Sequence, residues 1–140
     1  MFITRATRHD RGDIVDLLKT REWDDADVTE GSWYIARHGA VVGCVQLVEV
    51  APQTVVVDNV LVHEDRRGKG VGDALLKAAM NAKGGTMYLC CHEENVAFYE
   101  RFGFATFDVA ESPPEVVAYW NKVDDYPPPE GHVHFYMKAR

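Results

Sequence analysis

The sequence predicts an α+β fold, a single domain over residues 1–140 in which a mixed sheet carries helices on both faces. Three observations lead there. First, three apolar runs rich in β-branched residues, 32–37, 41–50 and 54–63, are joined by the tight connections His38-Gly39-Ala40 and Ala51-Pro52-Gln53, which implies antiparallel N-terminal strands. Second, Val71, Leu75, Leu76, Ala79 and Met80 recur with a helical period that Gly84-Gly85 closes. Third, strand and helix alternate from there on, which implies parallel pairing in the second half. A chain of 140 residues, 46% hydrophobic and 26% charged, suits one core.

In chain order, residues 2–6 read as a short strand. Thr7, His9 and Asp10 are candidate caps for a helix whose buried stripe is Ile14, Leu17 and Leu18 and which ends near Arg21. The acidic stretch 22–31 lacks a clear period and reads as a loop or a short second helix. After the three strands, residues 70–83 form a helix, 86–91 a strand, 94–102 a helix stopped by Gly103, and 104–109 a strand. Residues 110–131 read as an irregular Pro-rich excursion with a helical turn through 115–121, and 132–138 as the last strand. No repeat interrupts this order.

Net charge −7 argues against nonspecific nucleic-acid binding, which needs clustered Lys and Arg to displace counterions. The cluster Arg66, Arg67 and Lys69 suits one polyanionic ligand better. No signal-peptide pattern opens the chain and no apolar run approaches the ~20 residues that span a bilayer, so no membrane association and a cytoplasmic location are expected. The odd count of three cysteines, Cys44, Cys90 and Cys91, fits reduced thiols.

The chemistry concentrates after the third long strand. Glu64-Asp65-Arg66-Arg67-Gly68-Lys69-Gly70-Val71-Gly72 joins a strand to a helix, so backbone N–H groups can converge on phosphate oxygens where glycines keep Cβ atoms away and a helix dipole begins. A Gly-rich turn with solvated charges is the plain alternative. A P-loop needs Gly-x4-Gly-Lys-Ser/Thr, and a dinucleotide fingerprint needs Gly-x-Gly-x-x-Gly at the first strand of a βαβ unit; neither fits.

Arg67-x-x-Gly70-x-Gly72 matches the cofactor loop Gln/Arg-x-x-Gly-x-Gly/Ala of the GNAT superfamily of acetyl-CoA-dependent N-acetyltransferases. Asn95-Val96-Ala97-Phe98-Tyr99-Glu100-Arg101-Phe102-Gly103-Phe104 resembles the superfamily's second signature, at the usual separation. The resemblance implies a GNAT-like sheet in which the strands at 54–63 and 86–91 splay apart to admit a thioester. It implies acetyl-CoA as acyl donor, its pyrophosphate held by the backbone of Arg67, Gly68, Lys69, Gly70, Val71 and Gly72. The pantetheine arm would pair with the backbone of Val60, Leu61 and Val62 and meet Asn95, with Phe98 beside it in the same signature. Tyr99 would be the general acid that protonates the leaving sulfur, although a Tyr there can also simply pack its ring. No metal is expected.

Acyl transfer to an amine also needs something to take the amine's proton, because a Lys-like amine with pKa ~10.4 is mostly ammonium at neutral pH. Asp58 sits in the apolar stretch Val55–Val60 and, by alternation, shares a face with Val60 and Val62, so it is the candidate base, working through water. An ordinary structural Asp is the alternative; Glu49 and His92 are weaker candidates. The resemblance implies that the thioester carbonyl is polarised by a backbone N–H near Val60 or Leu61, as fixed donors do elsewhere. His132 and His134 alternate on one strand face, but two ligands without a third do not make a metal site.

Cys90 to Tyr99 also resembles the corresponding stretch of glucosamine-phosphate N-acetyltransferases, from which the 110–131 excursion and Asn59 depart. The acidic residues of 22–30 with Asp124 and Asp125, and the aromatics Trp23, Trp33, Trp120 and Tyr126, would suit a mouth for cationic amines; a solvated acidic surface over core tryptophans is the plain alternative. The acceptor expected is a small-molecule or peptide amine, and a homodimer is left open. Two other classes remain at this point: a non-catalytic acyl-CoA-binding or sensing module, and a nucleotide-binding protein using the Gly-rich loop.

Overall fold

A computed structural model of the protein describes residues 2–23 and 25–140. Its elements are β1 (Phe2–Arg5), α1 (Arg11–Lys19), β2 (Ser32–His38), β3 (Ala40–Ala51), β4 (Thr54–Val62), α2 (Val71–Ala82), β5 (Thr86–Cys91), α3 (Glu93–Glu100), β6 (Ala105–Thr106), α4 (Pro114–Lys122) and β7 (Phe135–Ala139). The strands form one mixed sheet in the order β1-β2-β3-β4-β5-β7-β6. β1 and β2 pair antiparallel, as do β2 and β3. β4 and β5 pair parallel through Thr54–Thr86, Val55–Met87 and Val56–Tyr88, and both strands run on past that ladder. The α+β class and the mixed sheet with a parallel pair in its middle are as expected.

Three sequence expectations need correction. The strand read at 104–109 shrinks to β6, two residues long, and does not join β5 in a parallel pair. β7 lies between them and pairs antiparallel with both, because the chain returns through 110–134 and inserts its last strand beside β5. That last strand starts at Phe135, not at His132, whose N–H closes a turn onto Pro129 O at 3.0 Å. Between them, the 110–131 stretch holds a nine-residue helix, α4, with Pro114 in its first turn and Val116, Tyr119 and Trp120 buried. The described residues of the acidic stretch, 22–23 and 25–31, form turns and bends, the loop of the two expected alternatives.

The chain divides into two compact units, 1–48 with 57–83 and 49–56 with 84–140. In the first, Ile14, Leu17 and Leu18 of α1 pack with Trp33, Ile35, Val41, Cys44 and Leu61. Neighbouring residues of a strand point to opposite faces. Accordingly, Cys44 faces α1 while Gly43 faces α2, where a Cβ would lie 2.7 Å from Leu75 Cδ1 and 3.0 Å from Val71 Cγ1. Two helices therefore cover two faces, and the missing side chain at 43 lets α2 approach closely. In the second unit, Trp120 is fully buried with its ring 4.9 Å from that of Tyr136. Trp33 and Trp120 are thus core residues, not walls of a mouth.

Before α1, Thr7 and Asp10 form a capping box: Asp10 Oδ2 accepts from Thr7 N at 2.8 Å and Thr7 Oγ1 from His9 N at 3.2 Å. Arg37 on β2 clasps both Asp10 (2.9 Å) and Asp13 (3.0 Å). The Thr7 N–H first, then the Arg37 guanidinium, hold the Asp10 carboxyl below its usual range against opposing desolvation. Gln46 is the buried polar residue of β3, 1% exposed. Its amide nitrogen donates to Asp27 O (3.2 Å) and Glu30 O (3.0 Å), and its oxygen accepts from Asn59 Nδ2 at 2.8 Å. Trp33 Nε1 adds a bond to Glu30 O at 3.1 Å. The acidic stretch is tied down by side chains of β2 and β3.

Two predictions follow from these contacts. Gln46→Met preserves volume but removes the bonds, and should lower unfolding free energy by about 1–3 kcal/mol, read as a lower urea midpoint at unchanged slope. For Asp10 the folded pKa is depressed, so its contribution is present above the unfolded carboxylate value of ~3.9 and is lost as pH falls through the lower folded value. The Tm deficit of Asp10→Asn should therefore be largest near neutral pH and shrink toward about pH 3; a deficit independent of pH would assign the loss to something other than the charge.

Candidate active site

Within the first unit, the turn between β4 and α2 is built for close approach. His63 and the short 3-10 turn Glu64–Arg66 lead into Arg67, which is extended (φ −69°, ψ 151°). Gly68 (φ 74°) and Gly70 (φ 79°) are both left-handed, a conformation that costs other L-residues roughly 1–2 kcal/mol. Gly70 is the N-cap of α2 and brings no side chain over the first-turn amides. No atom lies within 4 Å of where a Cβ would stand at Gly68 or Gly70, so the backbone there has open space before it. An anion is favoured at such a helix start by the N–H groups and by the dipole. Arg67 Nε donates to Val62 O at 3.2 Å, so its guanidinium braces the turn against the end of β4. Alongside, His38, Val41, His63, Asp65, Arg66 and Lys69 line an open cleft of about 520 Å³. Arg66 was read from the sequence as part of a cationic cluster; that His38 of the β2–β3 connection lines the same cleft could not be read there.

β4 supplies the other predicted residues of this unit. Leu61 is 4% exposed and packs into the core, so it can offer a ligand only its backbone, whereas Val60 and Val62 are half-buried. Asn59 has φ 49° and is a left-handed residue within β4, between Asp58 and Val60. Asp58 is half-buried and its Oδ1 accepts from Asn59 N at 2.8 Å. The Asn59 side chain turns back to Gln46. Sequence reading passed over Gln46, although a lone amide inside the run Val41–Val48 was the available signal.

In the second unit, α3 carries Asn95, Phe98 and Tyr99. His92 is its N-cap, and Gly103 (φ 90°) follows its end. Asn95 is exposed in the first turn, with its N–H on His92 O at 3.0 Å. Tyr99 is 8% exposed, its ring set edge-on to Phe98 (5.1 Å) and to Phe104 (6.0 Å). Phe98 is half-buried and touches Phe102 as well. The weaker base candidates Glu49 and His92 are both exposed. The three cysteines are free, and burial pushes the thiols of Cys44 and Cys91 up to about 12 and about 11, which keeps them protonated and inert.

Known proteins point the same way. No curated protein sequence matches the chain significantly. Among solved structures, Rv2747 from Mycobacterium tuberculosis, in complex with CoA, superposes with a TM-score of 0.74 at 20% identity over 99% of this chain and 98% of its own. N-acetylglutamate synthase from Neisseria gonorrhoeae, complexed with coenzyme A and N-acetyl-glutamate, gives 0.74 at 19% identity over 100% of this chain and 35% of its own. IAA acetyltransferase from Bacillus cereus gives 0.67 at 22% identity, covering 99% and 97%. At such identities the likeness concerns the fold. The sequence model of the acetyltransferase (GNAT) domain matches residues 29–106, more than half of the chain, with the β4–α2 turn and α3 both inside the match. The chain belongs to the GNAT acetyltransferase family.

Proposed function

We propose that the protein transfers an acyl group, acetyl in the first instance, from acyl-CoA to a primary amine by direct attack in a ternary complex. The observation that carries this is the turn Arg67–Gly72, with two left-handed glycines and an α2 start that no N-cap side chain covers, inside the match to the family. In this reading the backbone amides of Arg67 to Gly72 hold the CoA pyrophosphate, and Arg66 and Lys69 in the adjoining cleft add positive charge. The backbone of Val60 to Val62 pairs with the pantetheine arm as an added strand would. Asn95 hydrogen-bonds that arm, and Phe98 supplies an apolar surface for it. One domain, 1–140, does all of this.

The chemistry then needs a polarised carbonyl, a neutral amine and a protonated leaving thiolate. Asn59 is left-handed just before Val60, and in this reading a backbone N–H near Val60 or Leu61 donates to the thioester oxygen. Asp58 accepts the amine's proton through water. Tyr99 delivers a proton to the CoA sulfur, a task for which a phenol of pKa ~10 is suited. The acceptor is a small-molecule or peptide amine, and acidic residues of the tethered 22–31 stretch favour a cationic one. Among the described residues no helix is long and apolar enough to cross a membrane. The inert free thiols suit the reducing cytoplasm in which we place the enzyme.

The test is thiol release from acetyl-CoA across a panel of amines. Tyr99→Phe should cut kcat about 10²–10⁴-fold with little change in CoA binding, and Asp58→Asn should cut it and remove the acid limb of the pH profile. CoA binding without turnover on any amine would replace the enzyme by a binding module. Stabilisation by ATP exceeding that by CoA in a thermal-shift comparison would point instead to a nucleotide protein. For the turn itself, Gly70→Val forces a β-branched residue into a left-handed site, and about 1–2 kcal/mol of strain corresponds to roughly tenfold weaker CoA binding; unchanged affinity would take the pyrophosphate elsewhere.

A further inference from the structure

Independently of acyl transfer, three histidines of the second unit, none of them used in the proposed mechanism, come together. β5 and β7 pair with Cys91 opposite Phe135, and one more step of the same register sets His92 opposite His134. His132 stands two residues before His134. One ligand atom from each of the three lies within 4.8 Å of the other two. The rings are inclined rather than stacked: His92 and His134 at 5.3 Å and 81°, His132 and His134 at 6.2 Å and 76°, His92 and His132 at 6.2 Å and 45°. The sequence offered only two alternating histidines; the antiparallel return of β7 beside β5 supplies the third.

His134 is also oriented as a metal ligand is. Its Nδ1 lies 2.8 Å from the carbonyl oxygen of Asp125. A carbonyl only accepts, so Nδ1 carries the proton and the lone pair is on Nε2. A backbone carbonyl that fixes tautomer and ring in this way is the usual outer support of a metal-bound imidazole. The same Asp125 oxygen is itself fixed by the Tyr136 hydroxyl, which donates to it at 2.6 Å. His92 and His132 are exposed, so an ion has access and the two side chains have room to adjust. Tetrahedral zinc with nitrogens at about 2.0–2.1 Å needs them about 3.3 Å apart, so closing from the present spacing takes shifts on the order of 1 Å per ring.

We propose that His92, His132 and His134 form a binding site for a borderline divalent transition-metal ion, Zn²⁺ in the first instance, with three imidazoles from the protein and the remaining position open to solvent. Three nitrogen donors select such ions over Mg²⁺ or Ca²⁺, which take oxygen. Glu93 and Glu94, the first residues of α3, offset the positive helix start beside His92. A bound ion would tie the N-cap of α3 to the segment leading into β7. A second donor set, Cys90, Asp125 and His134, shares one histidine with the first. Because Nδ1 of His134 is spent on a carbonyl, Nε2 can serve one set or the other, and experiment separates them.

The experiment is calorimetric titration of untagged, chelator-treated protein with Zn²⁺, with circular dichroism to establish that every variant is folded. One ion per chain is expected, with Mg²⁺ giving no heat. His92→Ala, His132→Ala and His134→Ala should each weaken binding at least about tenfold, while His9→Ala and Cys90→Ser leave it unchanged. Absence of saturable binding overturns the proposal. So does one-to-one binding that survives His132→Ala, and loss on Cys90→Ser would move the ion to the other donor set. Because the readout is heat of binding, failure here is distinct from failure of acyl transfer.

Discussion

An amide buried in an apolar strand is tolerated only when its two donors and its acceptor all find partners. Gln46 meets that condition by drawing Asp27 and Glu30 from the acidic stretch and Asn59 from β4 onto one side chain of β3. The consequences spread outward. The stretch before β2, which has no period of its own, takes a definite path because its carbonyls are the acceptors. The left-handed Asn59 gains a partner that holds its side chain in place, within β4 and just before Val60 and Leu61. Local backbone cost at a site proposed to bind ligand is thus supported by a bond in the core.

The second unit repeats the principle with a backbone oxygen in place of an amide side chain. Asp125 O receives the Tyr136 hydroxyl, the His134 ring and, at 4.0 Å, the Cys90 thiol. Burial, with Cys90 and Asp125 nearby, pushes the Tyr136 hydroxyl well above its ordinary range, so it stays a donor at any physiological pH. Below it, Trp120 of α4 packs on the Tyr136 ring. A segment dense in proline and acid is therefore ordered by donors converging on Asp125 O and by the contacts of Trp120 and Tyr126 with the Tyr136 ring.

What could be read from the residues follows from which forces are local. Strand alternation, the helical stripe of α2 and the glycine turn before it are set by neighbours in sequence, and each lies close to where it was expected. Arg67-x-x-Gly70-x-Gly72 and the Asn95–Phe104 signature both fall inside the match to the family. The errors fall where a distant partner decides. β7 displaces the parallel neighbour expected for β5, and β6 shortens because its sole partner is that late strand. α4, by contrast, was legible as a helical turn through 115–121, and burial of Val116, Tyr119 and Trp120 extends it by one residue at each end. The third histidine became a neighbour of the other two only through the return of the chain.

Gly43 shows how far such dependence reaches. The helix that opens with the glycine turn proposed to hold pyrophosphate rests against a strand position with no side chain, so the height of the turn above the sheet is set by a residue outside both family signatures. Transplanting Arg67–Gly72 into another β–α unit would carry the glycines but not that seating. A host strand with a larger residue at the equivalent position would lift the helix and misplace the amides. The transferable module is the turn together with its glycine on the neighbouring strand.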